Sequence, residues 1–377
     1  MNHWPPILFL LGAGFVFYML AGYPLLLAVL AAAAPKPVRK RFEPRTVSVL
    51  LAIYNGEAWI RAKLESIFTL DYPRELLEIL VISDGSTDRT DEIAGEFAAQ
   101  GVEVLRVPHG GKAAALNAGM ARAGGEILFF TDVRQKLEPE ALRELVACLG
   151  DPAVGGVSGH IVMAADAEAA DVGLYWRYEK WLRDKLTASG SLLVATGCIY
   201  ALRRKLARPL PADALIDDAY LPLAVVFQGY RFVFERQAVA WDYPAMLEME
   251  FQRRVRTLAG LFQVLRSYPR LLNLFTPVGF HFFSYKLGRL LLPYALLLTA
   301  VSSFGLPGAW AALMVSGQAF FYILAAIDPW IPAGLSLKRL SAACRTFVVQ
   351  VAAAFRAGSI LFVPADRLWK ETRVKDR

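Results

Sequence analysis

Cysteine is scarce in this chain of 377 residues, and its placement excludes two kinds of site. The three cysteines, Cys148, Cys198 and Cys344, are odd in number, far apart and without metal-site spacing. A disulfide-held domain needs an even set of cysteines, and a zinc site needs closely spaced ones. The sequence therefore predicts neither.

Formal charge is missing from long stretches at both ends of the chain. Ile7–Ala34 contains no charged residue, and from Leu272 to Ile327 the only Lys, Arg, Asp or Glu residues are Lys286 and Arg289. Ile7–Ala34 is long enough to cross about 30 Å of hydrocarbon as a helix. A cleaved signal peptide is the alternative, but residues 1–6 lack its usual basic start. We expect a retained N-terminal anchor.

The C-terminal third predicts further contact with a membrane. Leu287–Phe304 and Trp310–Ile327 are candidate spans. Thr346–Val363 carries Arg356 near its centre, which favours a re-entrant or interfacial segment because a charge is costly there. Met249–Tyr268 mixes Arg and apolar residues at helical spacing, as in helices that lie on a membrane surface. We expect three spans in total, with four as the alternative.

The net charge of +7 comes from basic residues placed beside these apolar segments. Residues 36–45 contain five Lys or Arg against the single Glu43, and Lys370–Arg377 is a basic tail. Basic flanks of membrane helices favour the cytoplasmic side and anionic headgroups. We therefore expect an integral protein of the cell membrane whose central domain lies in the cytoplasm. We expect no nucleic-acid partner.

Between the apolar ends, short β-branched runs alternate with helical patterns. The predicted strands are Val47–Ile53, Leu77–Ile82, Val102–Val107 and Glu126–Phe130. The predicted helices are Gly56–Phe68, Asp88–Ala99, Lys112–Ala123 and Pro139–Leu149. Such alternation indicates an α/β domain with a mostly parallel sheet.

Polar signatures lie at or just after these strands. They are Tyr54-Asn55, Asp84-Gly85-Ser86-Thr87-Asp88, Gly111-Lys112 with Asn117, and Thr131-Asp132. Because ligands of α/β sheets collect at the carboxyl ends of strands, we expect these groups to meet in one crevice. A fifth signature, Asp217-Asp218, comes about 85 residues after Asp132.

The order and spacing of these signatures resemble a membrane-bound family 2 glycosyltransferase of the processive polysaccharide synthase kind. The resemblance covers roughly residues 46–260. It implies a GT-A-type, Rossmann-like fold, with a mixed, mostly parallel sheet flanked by helices, and with transmembrane helices at both ends. The implied organisation is an anchor (1–35), a glycosyltransferase domain (46–245), interfacial helices (246–280), a transmembrane or re-entrant region (281–363) and a basic tail (364–377).

The resemblance also implies roles for individual residues. The implied nucleotide-sugar ligands are Tyr54, Asn55, Asp84, Gly85, Ser86, Lys112, Asn117, Asp132, Arg134 and Arg256. Asp218 is the implied base and Asp217 its orienting partner, and a base is what inverting transfer needs to take the proton of the acceptor hydroxyl. The alternative for Asp84–Asp88 and for Asp217-Asp218 is simple helix capping.

The sequence departs from the family pattern in two places. Arg134 stands where the family has the second carboxylate of its Asp-x-Asp pair, which leaves Asp132 as the implied ligand of Mg²⁺ or Mn²⁺. One hypothesis is that Arg134 turns to solvent or neutralises the diphosphate itself, since guanidinium suits phosphate geometry. The alternative is that Asp132 and water molecules, with one other oxygen ligand, still hold the ion. Thr257 stands where processive synthases carry a sugar-stacking Trp, which weakens the case for a long-chain polymerase.

Three residues are candidates on the acceptor side. Thr196 and Gly197 resemble the family's acceptor loop, with an ordinary strand turn as an equal alternative. Trp241 is a candidate sugar platform in place of the missing Trp, with Tyr243 as the alternative.

These observations predict an inverting glycosyltransferase. It would move a sugar from a nucleoside-diphosphate sugar, most plausibly UDP-linked, to a membrane-proximal polysaccharide or lipid. Other subunits of a polysaccharide export system are possible partners. The alternative is a non-catalytic homologue that binds a nucleotide sugar as a partner subunit of such a complex.

Overall fold

The computed structural model describes residues 3–163, 170–242, 247–332 and 334–363. The predicted basic tail, 364–377, and Tyr243 lie outside the described residues. The chain divides into two compact units. Residues 30–165 and 180–244 form what we call the α/β unit, and residues 1–29, 166–179 and 245–377 form the helical unit.

The α/β unit is built on one mixed sheet, which has eight strands in the described residues. The strands are β1 (Val47–Ile53), β2 (Leu77–Asp84), β3 (Val102–Val107), β4 (Ile127–Thr131), β5 (Lys136–Leu137), β6 (Val154–Met163), β7 (Ile199–Arg203) and β8 (Arg231–Asp242). Their order across the sheet is β3-β2-β1-β4-β7-β6-β8-β5. Neighbours from β3 to β4 are parallel, as are β6 and β8, while β7 is antiparallel to both of its neighbours and β5 is antiparallel to β8. The predicted α/β class with a mixed, mostly parallel sheet is confirmed.

The described residues contain thirteen α-helices. They are α1 (Trp4–Phe17), α2 (Tyr23–Ala33), α3 (Glu57–Phe68), α4 (Thr90–Gly95), α5 (Lys112–Arg122), α6 (Ala141–Cys148), α7 (Ala170–Ser189), α8 (Asp217–Phe227), α9 (Leu247–Ser267), α10 (Pro277–Phe282), α11 (Gly288–Ser303), α12 (Ala309–Ile327) and α13 (Ser336–Ala357). Within the α/β unit, the central strands are near-continuous apolar runs because helices cover both faces of a parallel sheet. Residues 47 to 51 of β1 are fully buried, and Ile60 and Leu64 of α3 pack into the same core.

The predicted helix Asp88–Ala99 is shorter in the structure. α4 ends at Gly95, and a 3₁₀ turn, Ala98–Gln100, follows and stops at Gly101, whose φ is +82°. Ser86 and Thr87 do not cap α4. Instead Asp88 Oδ1 accepts a hydrogen bond from the backbone N–H of Thr90 (3.0 Å).

The basic segment that follows α2, residues 36–45, is fixed to the rest of the α/β unit by its backbone. The backbone N–H groups of Lys36 and Arg41 donate to the carbonyl oxygens of Ala188 (2.8 Å) and Ala147 (2.9 Å). The N–H of Arg39 donates to the carboxylate of Asp151 (3.1 Å). A Cβ on Gly150 would lie 2.2 Å from the carbonyl oxygen of Arg41. Residues 36–45 are therefore a packed basic strap of the α/β unit, not a loose linker.

Three described helical stretches are long and apolar enough to cross a membrane: Trp4–Ala33, Ala309–Trp330 and Ser336–Leu361. The number equals the expected count, but the members differ. The predicted span Leu287–Phe304 is not among them, whereas the stretch with Arg356 is. α11 has only 16 residues and follows a π-helical turn, Phe283–Leu287. Lys286 lies in that turn, and Arg289 is the second residue of α11.

Candidate active site

The end of β2 fixes the loop that leads into α5. Asp84 is buried, and its two carboxylate oxygens accept from the backbone N–H groups of Gly110 (2.8 Å) and Gly111 (2.9 Å). Gly111 is the N-cap of α5 and has φ +84°, a conformation that favours glycine. Asp84 therefore positions the helix whose first residue is Lys112.

An aromatic pair lies beside Asp84. The rings of Tyr54 and His109 are 4.4 Å apart, and His109 Nδ1 is 3.1 Å from Asp84 Oδ2. Tyr54 follows β1 directly and is exposed. A Cβ on Gly85 would lie 2.9 Å from His109, so glycine is needed where these two loops touch. The predicted Tyr54, Asp84 and Gly85 are thus brought together.

Asn55 and Ser86 join the loops after β1 and β2. The Asn55 side-chain oxygen accepts from the N–H of Thr87 (2.8 Å), and the N–H of Asn55 donates to Ser86 Oγ (3.2 Å). Asn55 has φ +48°, which asparagine tolerates better than most residues. Asn55 and Ser86 therefore hold the loops after β1 and β2 together at the edge of the crevice.

Lys112 joins two of the predicted acidic signatures. Its Nζ lies 2.9 Å from Asp132 Oδ1 and 3.0 Å from Asp217 Oδ1. Burial by itself lowers the pKa of Lys112, but the carboxylates of Asp132 and Asp217 outweigh burial and raise that pKa above its ordinary value. Lys112 is therefore a fixed cation at neutral pH between the end of β4 and the start of α8.

Tyr200 completes this network from inside the sheet. Its hydroxyl donates to Asp217 Oδ2 at 2.6 Å, and its fully buried ring stacks on Phe130 at 4.5 Å. Burial, and then the facing carboxylate of Asp217, raise the pKa of Tyr200 well above its ordinary value, so the phenol stays protonated and can donate. Asp217 thus bonds to a phenol and an ammonium group, and the N-cap position of α8 is Ile216. This contradicts the capping alternative for Asp217.

Asp218 is the next residue of α8 and is less buried than Asp217. Gly197 lies directly against it: a Cβ on Gly197 would be 3.2 Å from Asp218 Oδ2. The backbone carbonyl of Asp218 accepts from the N–H of Ala195 at 2.7 Å. The predicted acceptor loop and the predicted base are therefore adjacent.

Arg134 pairs with a residue that the sequence analysis did not single out. Its Nε and Nη2 donate to the two carboxylate oxygens of Asp242 at 2.9 and 2.7 Å, and Asp242 is fully buried at the end of β8. Arg134 therefore does not turn to solvent. The pair with Asp242 occupies the Nε–Nη2 edge of the guanidinium, and of its five N–H donors those on the Nη1–Nη2 edge are not used by this pair.

The residues at the predicted metal motif do not form a protein-only cation site. Among the described residues, no group of three His, Cys, Asp or Glu side chains is placed to hold a metal ion. A hard cation prefers several oxygen ligands. Asp132 is the one carboxylate present at the motif, and it already faces the ammonium group of Lys112.

Four predicted residues have other contacts. Asn117 exchanges two hydrogen bonds with the backbone of Leu210 (2.9 and 2.8 Å), and Thr196 is buried, its hydroxyl donating to the carbonyl of Gly159 (2.9 Å). The indole N–H of Trp241 donates to Glu138. Arg256 lies on α9 of the helical unit.

Sequence reasoning missed Tyr200, His109, Asp242 and a buried lysine, Lys63. Tyr200 and His109 are the nearest to a sequence signal, because they lie in or beside the quoted motifs. Asp242 and Lys63 are joined to the site only by long-range contacts, which no local pattern reveals.

Comparison with known proteins finds similarity to glycosyltransferases. Residues 48–210 match the model of Glycosyl transferase family 2. The probable glycosyltransferase YdaM of Bacillus subtilis is 28% identical over 237 residues, covering 57% of this chain and 54% of that protein. The poly-beta-1,6-N-acetyl-D-glucosamine synthase of Staphylococcus epidermidis is 25% identical over 240 residues, covering 58% and 55%. The chain thus spans about half the length of these relatives.

A solved structure shares the fold over nearly the whole chain. The mannosyltransferase PcManGT from Pyrobaculum calidifontis, solved in complex with GDP-Man and Mn²⁺, superposes with a TM-score of 0.72. The alignment covers 94% of this chain and 99% of that one, at 24% identity. At this identity the likeness shows the fold alone.

Proposed function

Because residues 48–210 match the model of Glycosyl transferase family 2, we propose that the protein is an inverting glycosyltransferase of this family. It would transfer a sugar from a nucleoside-diphosphate sugar, which we take to be UDP-linked, to a membrane-proximal polysaccharide or lipid. The observation that carries the proposal is the Asp132–Lys112–Asp217–Tyr200 network, which lies beside Asp218 and Gly197.

In the proposed mechanism, Asp218 is the base. Its carboxylate takes the proton of the acceptor hydroxyl as the hydroxyl oxygen bonds to the anomeric carbon. The bond from that carbon to the diphosphate oxygen breaks at the same time, and the diphosphate leaves with the electron pair. Attack opposite to the leaving group inverts the anomeric configuration. Asp217 is held by Tyr200 and Lys112, so it supports the start of α8 and leaves the proton transfer to its neighbour.

Lys112 is the proposed partner of the leaving group. An ammonium group has three N–H donors, and two of those of Lys112 face Asp132 and Asp217. The third is available for a diphosphate oxygen near the start of α5, where backbone N–H groups also favour anions. A preorganised cation at a site of developing negative charge lowers the barrier without reorganisation.

Membrane placement is also part of the proposal. The three apolar helices support an integral membrane protein, and the basic residues at 36–45 support a cytoplasmic catalytic unit. An acceptor embedded in or emerging from the bilayer would then be within reach of the enzyme.

The first test is nucleotide release by purified full-length protein, offered a panel of UDP-sugars together with GDP-mannose. We expect one donor to release nucleotide and Asp218→Asn to lower kcat by about a thousandfold or more, since a positioned base contributes 10²–10⁴-fold. Asp213→Asn, a change in the exposed loop before α8, is the matched control and should leave release intact. Nucleotide binding without release from any donor would favour the partner-subunit alternative, for which the substituted motif at Arg134 is the supporting feature.

An EDTA arm tests the cofactor. Loss of release that Mn²⁺ or Mg²⁺ restores would mean that the donor's own phosphate oxygens complete a site at Asp132. Release that persists in EDTA would mean that the protein's own cations suffice.

Sizing of the products separates repeated transfer to a polymer from a single transfer to lipid.

A further inference from the structure

A buried lysine holds the segment that carries Asp132 and Arg134. Lys63 lies on α3 and is 2% exposed. Its Nζ donates to Thr131 Oγ1 at 2.6 Å and to the carbonyl of Gln135 at 2.7 Å. These acceptors are the two ends of the segment 131–135, so one side chain ties both ends of the loop between β4 and β5.

Bridging this loop does not by itself require a charge. Ser66 lies one turn further along α3 and holds the same part of the chain with a neutral hydroxyl, which accepts from the N–H of Leu137 at 2.9 Å. An ammonium group buried against neutral acceptors loses its hydration and receives no ion pair in return. Burial lowers the pKa of Lys63 to about 7, against the opposite influence of Cys198 and Asp132. The charge is therefore costly, and the packing does not explain it.

The charges around the loop indicate what this cation can serve. Lys112 faces two carboxylates, those of Asp132 and Asp217, and Arg134 is paired with Asp242. The hydrogen bonds of Lys63 reach a hydroxyl and a carbonyl, while the carboxylate of Asp132 acts on its charge through space. A buried cation that is hydrogen-bonded to neutral groups also attracts an anion that arrives at the loop. A donor diphosphate brought beside Asp132 is such an anion, whereas an uncharged nucleoside is not.

We propose that Lys63 is a positioning residue for the donor diphosphate, holding the Asp132 segment and adding a buried positive charge behind it. The inference rests on the proposed function, because it assumes that the crevice binds a nucleoside-diphosphate sugar. It adds a cation from α3 to the site, where the sequence motifs pointed to α5 and the β4 loop.

The test compares binding of UDP and of uridine by calorimetry, using full-length protein in detergent. Lys63→Met removes the charge and keeps the apolar length of the side chain. We expect UDP to bind on the order of tenfold more weakly, as for a lost hydrogen bond to a charged group, while uridine affinity changes by less than about twofold. In turnover assays the donor KM should rise by more than kcat falls.

Two further variants separate charge from scaffolding. Lys63→Gln keeps a hydrogen-bond donor without the charge and should behave like Lys63→Met. It also carries the test if Lys63→Met does not fold. Ser66→Ala, on the same helix and against the same segment, should lower the melting temperature without changing the ratio of UDP to uridine affinity.

The inference is overturned if UDP and uridine affinities fall together, if Lys63→Gln restores UDP binding, or if both variants bind UDP like the wild type. Wild-type protein that binds neither UDP nor GDP would overturn the proposed function itself. If the wild type binds GDP instead of UDP, the same comparison is made with GDP and guanosine.

Discussion

At the scale of single residues, the site separates two adjacent aspartates by their surroundings. Asp217 is 7% exposed and bonded to both Tyr200 and Lys112. Asp218 is more accessible and lies against a glycine. A carboxylate fixed by two donors is suited to orienting a helix, whereas its more accessible neighbour is suited to exchanging a proton with a substrate.

The buried phenol of Tyr200 can be removed without disturbing its ring. Tyr200→Phe keeps the stack on Phe130 but leaves a buried oxygen of Asp217 without this donor, at a cost of about 1–3 kcal/mol. We expect lower thermal stability and a kcat reduced roughly tenfold, because the start of α8 and Asp218 lose support. Thermal unfolding and steady-state kinetics measure the two effects.

Tyr72→Phe is the matched control for Tyr200→Phe. The Tyr72 hydroxyl donates to the carbonyl of Arg45 at 2.7 Å, in a contact of the basic strap. Its loss should lower stability and leave kcat unchanged. If Tyr72→Phe reduced kcat as much as Tyr200→Phe did, the effect would be general loosening, and the role given to Tyr200 would be wrong.

The glycine against Asp218 offers a steric test. The Cβ of Gly197→Ala would stand 3.2 Å from Asp218 Oδ2, so the carboxylate must move by a few tenths of an ångström. We expect kcat to fall on the order of tenfold with little change in melting temperature, since catalysis depends on placement at this scale. Gly190→Ala, in the same connection between α7 and β7, would meet nothing within 4 Å and should retain activity. Equal activity of the two variants would argue against Asp218 as the base.

At the scale of elements, strand ends and helix starts supply the site. β2 ends at Asp84, β4 ends one residue before Asp132, α5 begins at Lys112 and α8 begins at Asp217. The N-terminus of a helix attracts negative charge, which favours carboxylates and phosphates at these positions. The crevice is therefore a consequence of the βα connections of a mostly parallel sheet.

Two helices of the helical unit are joined by a buried carboxylate. Asp328, just after α12, accepts from Ser341 Oγ (2.7 Å) and pairs with Lys338 (3.0 Å) and Arg345 (3.3 Å), all on α13. Its side chain is 3% exposed, whereas those of Lys338 and Arg345 are 24% and 37% exposed. Water near the two cations weakens the pairs, but the acceptor itself is in a low-dielectric position.

Loss of this carboxylate should loosen the hairpin of α12 and α13. Asp328→Asn removes the negative charge that two cations share, and breaking a buried pair costs about 3–5 kcal/mol before the exposure of the partners is discounted. We expect the melting temperature in detergent to fall by roughly 5 °C or more. Glu96→Gln, which breaks an exposed pair with Arg61, should change it by less than about 2 °C. An unchanged melting temperature of Asp328→Asn would show that the contacts of Asp328 with α13 do not stabilise the hairpin.

At the scale of the whole molecule, a folded α/β unit and a set of apolar helices belong to one chain. Leu10, Val29 and Phe320 are among the large apolar side chains that the three long helices expose, each more than 60% accessible. Contiguous apolar surface of this kind needs a partner or a membrane. Buried apolar area contributes about 25 cal/mol per Å², so insertion of three such helices is strongly favourable.

Membrane extraction should distinguish insertion from surface attachment. We expect the full-length protein to remain with membranes in 1 M salt and in alkaline carbonate, and to be released by detergent. Attachment through the basic residues alone is screened by salt. Release by salt without detergent would therefore contradict an integral membrane protein.

The pattern of the sequence predicts the class of the fold and the strand ends at which the polar motifs lie. Strand β1 has the predicted bounds, Val47–Ile53, and so does β3, because β-branched apolar runs bounded by polar residues allow few other structures. Lys112, Asp132, Asp217 and Asp218 were identified from local motifs, since each motif lies at the end of a strand or the start of a helix. The α/β topology then brings such ends to one edge of the sheet.

The partner of each of these groups depends on the three-dimensional fold and cannot be predicted from the local sequence. Arg134 and Asp242 are 108 residues apart and Lys63 and Thr131 are 68 apart. Such contacts depend on which strands become neighbours and leave no periodic trace in the sequence. The same holds for Tyr200, whose hydroxyl meets Asp217 because its ring packs on β4. The ends of strands are set by local chemistry, whereas the pairing of buried charges is set by the packing of distant segments, and that packing requires the whole fold.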